Sequence, residues 1–158
     1  MLVALVRAPE RRSGAEAVRG RRVFEAERVV DAVEGRWDGR GFTARRTAGG
    51  WEVDGQAAPP PASVALDDLV TGLVDLRALD AFRPRDQARF GLDAPRGTIA
   101  LWRGDRVQRL AIGDMNAAGS AFYARLEGET RVLQVGSGLT SSLERVLFVL
   151  GRQRPETG

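Results

Sequence analysis

Apolar and polar positions along this chain switch between a period of two and a period of three to four, and they do so twice. Residues 22–26, 29–37, 41–47 and 51–54 alternate over short runs and read as strands, with tight-turn dipeptides at Asp38-Gly39 and Gly49-Gly50. Residues 57–62 contain Pro59, Pro60 and Pro61, which donate no ladder hydrogen bonds, so this stretch reads as an extended connector. The spacing then predicts a helix over 66–82, because Leu66, Leu69, Val70, Leu73, Val74 and Leu76 share one face. Ser63 suits its cap. Asp67 and Asp68 fall in its first turn, where the helix dipole favours negative charge.

Pro84 ends that helix, and residues 86–90 form a turn or a single helical turn before a second set of strands at 97–103, 106–113, 120–127 and 131–135. Ile99 and Leu101, Leu110 and Ile112, and Phe122, Ala124 and Leu126 alternate with polar residues, which predicts an antiparallel sheet with one buried face. A closing amphipathic helix over 139–150 carries Leu139, Leu143, Val146, Leu147 and Leu150 on one stripe, with Ser137 as cap. Phe148 and Val149 lie off that stripe and are candidate contacts for a protein partner. The expected class is α+β: antiparallel β-meanders, each followed by an amphipathic helix. The halves 21–82 and 86–150 share this order, and Phe42-Thr43-Ala44-Arg45 and Phe122-Tyr123-Ala124-Arg125 share a Phe-x-Ala-Arg pattern. Three matched identities leave a duplicated strands-then-helix unit and coincidence both open.

Composition narrows the chemistry. Hydrophobic residues make up 43% of the 158, enough for one core spanning residues 21–150, with a basic segment at 1–20 and a tail at 151–158. All 24 basic residues are arginine, and lysine, histidine and cysteine are absent. That removes the Ser-His-Asp triad, the thiolate nucleophile, the common zinc sites, the Schiff-base lysine and the phosphate-loop lysine. Catalysis would have to run on carboxylates, hydroxyls, Tyr123 and arginine with a hard metal such as magnesium, and no catalytic, cofactor-binding or metal-ligating residue is expected.

The net charge is +3 although the sequence pI is about 10.7. With few groups titrating between carboxylate and guanidinium, a small arginine excess pushes the pI far up. Residues 1–22 hold six arginines against Glu10 and Glu16, a net +4, so the remainder of the chain is −1. Arg7, Arg11, Arg12, Arg19, Arg21 and Arg22 are therefore the candidate contacts for phosphates or an anionic surface, against the plainer reading of a solvated terminus. Leu2 to Val6 is an apolar run too short to span a bilayer; it fits a short strand, a disordered end or the remnant of a membrane anchor.

Several motifs have simpler readings. Gly136-Ser137-Gly138 before a helix resembles an anion loop, but Ser141 stands where the third glycine of a dinucleotide fingerprint belongs, so turn chemistry is the better reading. Arg103-Gly104-Asp105 spells an adhesion tripeptide and equally a hairpin turn. Trp37, Trp51, Trp102, Phe122 and Tyr123 could stack bases, but at strand positions they are expected to fill or cover a sheet.

Taken in order, Phe90-Gly91-Leu92-Asp93-Ala94-Pro95, the strand ending Ile112-Gly113, the segment Gly119 to Arg125 with its Tyr123-x-Arg125 element, and Val132 to Val135 before the last helix resemble the DUF4340 family. Trp51 after Gly49-Gly50 and the helix from Leu66 extend the likeness over about residues 21–150. The family is one of unknown function, so the resemblance implies no catalytic residue. It does imply a bacterial source, an amino-terminal membrane helix in many members and gene neighbours of the ABC-transporter and gliding-motility type. On that reading Leu2 to Val6 is part of an anchor. The arginines that follow it would sit on the cytoplasmic side by the positive-inside rule, which leaves membrane side and localisation open. The expected function is a non-enzymatic protein-binding or scaffolding module in a membrane-associated transport assembly. The alternative is nucleic-acid or anionic-surface binding through the arginine-rich segment.

Overall fold

The structure is a computed structural model, and it describes residues 20–25 and 29–153. Among these, nine strands form one antiparallel sheet. Four of them, β1 (Ala32–Trp37), β2 (Arg40–Thr47), β3 (Gly50–Val53) and β4 (Gln56–Ala57), make a meander that leads into helix α1 (Pro60–Val74). The short strand β5 (Asp80–Phe82) and a 3-10 turn at Gln87–Phe90 follow. A second meander, β6 (Gly97–Arg103), β7 (Arg106–Met115), β8 (Ala121–Leu126) and β9 (Val132–Gly136), leads into α2 (Gly138–Gln153). The spatial order is β4-β3-β2-β1-β6-β7-β8-β9-β5, so the first strands of the two meanders are neighbours. β1 and β6 pair antiparallel over their full length, from Ala32 with Trp102 to Trp37 with Gly97.

The strands turn where the backbone allows it. Asp38-Gly39 and Asp54-Gly55 both have positive φ at the two central positions, 49° and 82° in the first and 51° and 83° in the second, as a two-residue hairpin requires. The second of these turns folds back the two-residue strand β4, whose Ala57 is the first residue of the expected proline connector.

Both helices lie on one face of the sheet. Val33, Phe42, Ala44, Trp51, Ile99, Leu101, Leu110, Ile112, Phe122, Ala124, Leu133 and Val135 point to that face and join Leu66, Leu69, Leu73, Leu143, Val146 and Leu147 in one core. Gly35 lets α2 approach: a Cβ there would lie 2.6 Å from Phe42 Cε1 and 2.7 Å from Leu143 Cδ1. Each helix is also tied to the sheet by an indole. Trp51 Nε1 donates to Asp67 Oδ1 on α1 at 2.8 Å, and Trp37 Nε1 donates to Glu144 Oε1 on α2 at 3.0 Å. The helices run antiparallel, since Ala58 and Pro59 share a groove with Leu150 while Asp68 pairs with Arg145 at 3.3 Å.

The opposite face is half covered. Phe82, Phe90 and Tyr123 meet edge to face there, with centroids 4.8 to 6.2 Å apart, and Leu92 and Val132 are buried. The 3-10 turn reaches this face because Gly113 has no side chain; a Cβ at Gly113 would collide with the Phe90 carbonyl oxygen. Gly91, at φ 73°, caps the turn, and a Cβ there would lie 2.5 Å from Asp114 Oδ1. The β7–β8 register shifts between Ile112 and Met115, next to this crossing.

Several expectations are corrected. Helix α1 begins at Pro60, not 66, because Pro60 and Pro61 occupy first-turn positions whose N–H groups would have no intrahelical acceptor anyway. It ends at Val74, with Asp75 as C-cap, and residues 80–82 form β5 against β9. Asp67 and Asp68 consequently sit about two turns inside the helix, out of reach of the dipole effect, and serve Trp51 and Arg145. Ser63 is inside α1, its Oγ 3.4 Å from the Ala58 carbonyl, so it is not the cap. Of residues 22–26, Arg22 makes a single antiparallel bridge to Arg77, and residue 26 lies outside the described residues. The order strands-then-helix does occur twice, but the Phe-x-Ala-Arg segments fall on β2 and β8, the second strand of one meander and the third of the other.

Gly113→Ala is expected to destabilise the chain by about 1–3 kcal/mol through forced overpacking, whereas Gly136→Ala, with open space around it, leaves urea unfolding nearly unchanged. In a double-mutant cycle, Trp51→Phe and Asp67→Ala should each cost about 1 kcal/mol and show a coupling of at least ~0.5 kcal/mol; full additivity would mean the indole–carboxylate bond contributes nothing.

Candidate functional site

Three surfaces remain once the core is accounted for. The first is the outer side of the helix pair. Phe148 is 59% exposed with the Arg152 guanidinium 5.7 Å from its ring centroid, and Val149 is half-buried. Val64 on α1 is 53% exposed. The antiparallel pairing brings it to the level of Phe148, beside the Asp68–Arg145 ion pair. The two residues singled out from the sequence therefore stand at the surface.

The second surface is the uncovered half of the outer sheet face. Asp31, Ala32, Glu34, Thr43, Arg45, Arg46, Trp102 and Gly104 line a shallow groove of about 490 Å³. Strand alternation puts Ala32, Glu34, Thr43, Arg45 and Trp102 there, because their neighbours Val33, Ala44, Leu101 and Arg103 are buried on the helix side. Trp102 is half-buried, and the Arg109 guanidinium lies 5.6 Å from its ring centroid. Asp31 Oδ2 accepts from the Gly104 N–H, which ties the groove's rim to the β6–β7 turn. Arg46 is committed elsewhere: its Nε donates to the Val30 carbonyl at 3.2 Å, and its guanidinium lies 4.3 Å from the Trp51 ring centroid. Two carboxylates and the Arg45 guanidinium thus share one groove with an indole.

The third surface is a groove of about 480 Å³ between residues 21–23, Arg83 and the β8–β9 turn. Arg21, Arg22, Arg83 and Arg131 line it together with Glu129 and Thr130. Of the six arginines proposed as anionic contacts, Arg21 and Arg22 are placed here, and Arg7, Arg11, Arg12 and Arg19 lie outside the described residues, as does the run Leu2 to Val6. Arg22 is held by its own fold: its NH1 donates to the Val74 carbonyl at 2.8 Å and pairs with Asp75 at 3.3 Å, so it caps the C-terminus of α1. Arg83 and Arg131 are far from Arg21 in sequence and were not legible as its partners. Only the pairing of β5 with β9, and of segment 20–23 with 76–78, brings them together.

Other sequence motifs resolve structurally. Arg103 is only 7% exposed, and burial pushes its guanidinium pKa below the ordinary value, with Glu25 opposing that shift and Arg106 adding to it. Its NH1 donates to Gln108 Oε1 at 3.1 Å, so Arg103-Gly104-Asp105 is a hairpin turn with an inward arginine. Trp37, Trp51 and Phe122 are buried, and Tyr123 belongs to the outer aromatic cluster, which leaves Trp102 as the accessible indole. Ser137 precedes α2, and its carbonyl accepts from the Ser141 N–H at 3.2 Å and from Thr140 Oγ1 at 2.8 Å. Among the described residues, no three acids are grouped closely enough to hold a metal ion, and no helix is long and apolar enough to cross a membrane.

Neither curated proteins nor solved structures give a match to this chain. A family model does. The matched residues, 51–148, run from β3 into α2; they take in the Gly91–Pro95 turn, Gly113 and the Tyr123 strand, and leave out β1 and β2, which complete the same sheet. The chain belongs to the family described as domain of unknown function DUF4340.

Proposed function

We propose that this chain is a non-enzymatic protein-binding or scaffolding module of a membrane-associated transport assembly, and that it meets its partner with the uncovered half of the sheet, β1, β2 and β6. The observation that carries this reading is Trp102, half-exposed on a rigid strand beneath Arg109 and set among charges of both signs. Tryptophan and arginine dominate the energetics of protein interfaces because they bury large area at little entropic cost. Strands on either side hold the indole in place, so little ordering remains to be done on binding.

The charge pattern supports a polypeptide ligand. Asp31 and Glu34 would repel a uniform polyanion in this groove, whereas a protein surface of mixed charge can pair with them and with Arg45 together. The setting in a transport assembly rests on the family likeness, since such domains are typically encoded beside ABC-transporter components. Phe148 and Val149 supply a second contact on the other side of the molecule, where one partner or a second one can dock.

A photo-crosslinking residue placed at Thr43, on the outer face, should capture the partner in the native host, and one placed at Ser141, on α2, should not capture the same protein through this contact. Trp102→Ala should weaken capture at least tenfold, about 1.4 kcal/mol, with unchanged thermal unfolding. Undiminished capture by both Trp102→Ala and Arg45→Glu would remove the sheet face from the interface. Phe148→Ser reports separately on the helix-pair contact.

A further inference from the structure

We infer that the outer side of the helix pair is the contact between two copies of this chain, related by a two-fold axis that runs parallel to α1 and α2 and midway between them. The outermost stripe of α1 carries Val64, Asp68 and Thr71, and that of α2 carries Ser141, Arg145, Phe148 and Arg152. All are exposed and recur at three- and four-residue spacing. Among the described residues, Val64 and Phe148 are the large apolar side chains that helices expose. Because the helices run antiparallel, with Asp68 paired to Arg145 at 3.3 Å, stepping one turn either way puts Val64 level with Phe148 and Thr71 level with Ser141.

Such a face can meet its own copy about an axis along the helices or across them, and the two arrangements bring different residues together. With the axis along the helices, α1 of one copy lies on α2 of the other and every level is kept. Val64 then meets Phe148 of the second copy, and Asp68 meets Arg145 of the second copy. Two exposed ion pairs close into a square of alternating charge beside a patch of four apolar side chains. With the axis across the helices at the level of that ion pair, Asp68 would meet Asp68 and Arg145 would meet Arg145. The same operation would carry Val64 and Phe148 onto the level of Thr71 and Ser141. Charge and apolar pattern therefore select the same axis. A single exposed ion pair contributes little, whereas a network of four charges contributes more. Gly72, with open space where a Cβ would stand, lets the facing helices approach. Pairing through the sheet edges is blunted, because β4 and β5 are two and three residues long.

Helices of 15 and 16 residues are about 22–24 Å long and, lying ~10 Å apart, present a face on the order of 450 Å² per chain. That is small for a specific interface, so the dimer is expected to be weak, with a Kd of about 10–100 µM. The inference names the occupant of the helix-side contact. The contact around Trp102 lies on the opposite face, so the two fail or hold separately.

Sedimentation of the full chain from about 1 to about 200 µM should show a reversible monomer–dimer equilibrium. Asp68→Arg and Arg145→Asp should each weaken self-association at least tenfold, because each sets like charges against one another across the axis. An equimolar mixture of the two variants should restore the dimer, since one then offers two cations and the other two carboxylates at the same level. No contact within a single chain produces that recovery. Phe148→Ser should also weaken the dimer at least tenfold. A chain that is still monomeric at about 200 µM overturns the inference. So does a dimer unaffected by both charge variants, or a loss in both that mixing does not restore. Both charged positions are exposed, so thermal unfolding should be nearly unchanged; if either variant unfolds, Phe148→Ser decides the matter.

Discussion

The pairing of β1 with β6 is the constraint on which the rest of the molecule depends. Each meander with its helix has a single apolar face too narrow to be closed by one helix. Joined edge to edge through six residue pairs, the two become one sheet with both helices side by side on it. The same joint sets the depth of the core. Gly35 lies at its centre, opposite Ile99 on one side and Phe42 on the other, and its missing side chain admits Leu143 of α2. Trp37 at the end of β1 then reaches Glu144, packs edge to face on Phe122 with centroids 5.5 Å apart, and carries Arg96 over its ring. An antiparallel joint also makes the helices antiparallel, which sets Asp68 against Arg145.

A sheet covered on one face by two helices leaves the other face to be managed, and the solution is asymmetric. Over β7, β8, β9 and β5 the chain crosses back as a 3-10 turn, Phe90 packs on Phe82 and Tyr123, and Gly113 yields room for the crossing. This gives the Gly-Leu-Asp-Ala-Pro and Ile-Gly elements a mechanical reason: Gly91 is needed for a left-handed cap and Gly113 for a backbone approach that any Cβ would block. Over β1, β2 and β6 no described segment crosses, and Trp102 is half-exposed among the described residues. The sheet edges are blunted at both ends by strands of two and three residues, which offer little ladder for another chain to extend.

The class and most strands were legible because their alternation is dictated by a face buried under helices, and the register of Ile99, Leu101, Leu110 and Ile112 leaves no other solution. What was misjudged lay at element boundaries, where local signals compete. Three consecutive prolines read as a connector, yet two of them open α1, since a helix's first turn asks for no N–H donors. Asp54-Gly55 is a turn dipeptide of the same kind as Asp38-Gly39, and it returns the chain into β4 just before those prolines. β5 carries no periodicity in three residues and exists only because β9 offers an edge. The Phe148 and Val149 surface followed from helical spacing alone. The arginine groove did not, because no spacing rule connects residue 21 with 83 and 131; only the segment antiparallel to 76–78 and the strand after it do so.

Charge and its pairing distinguish the two grooves. The chain has one kind of cation, so its surfaces are distinguished by how many acids accompany the arginines. On the sheet face Asp31 and Glu34 stand with Arg45 around an indole, a pattern that suits pairwise complementarity more than long-range attraction. In the groove beside β5 Arg21, Arg22, Arg83 and Arg131 stand with Glu129, and Arg22 is already paired with Asp75 at the end of α1. The first groove lies on the β1–β6 joint itself and the second beside β5 at the far edge, so one continuous sheet carries both.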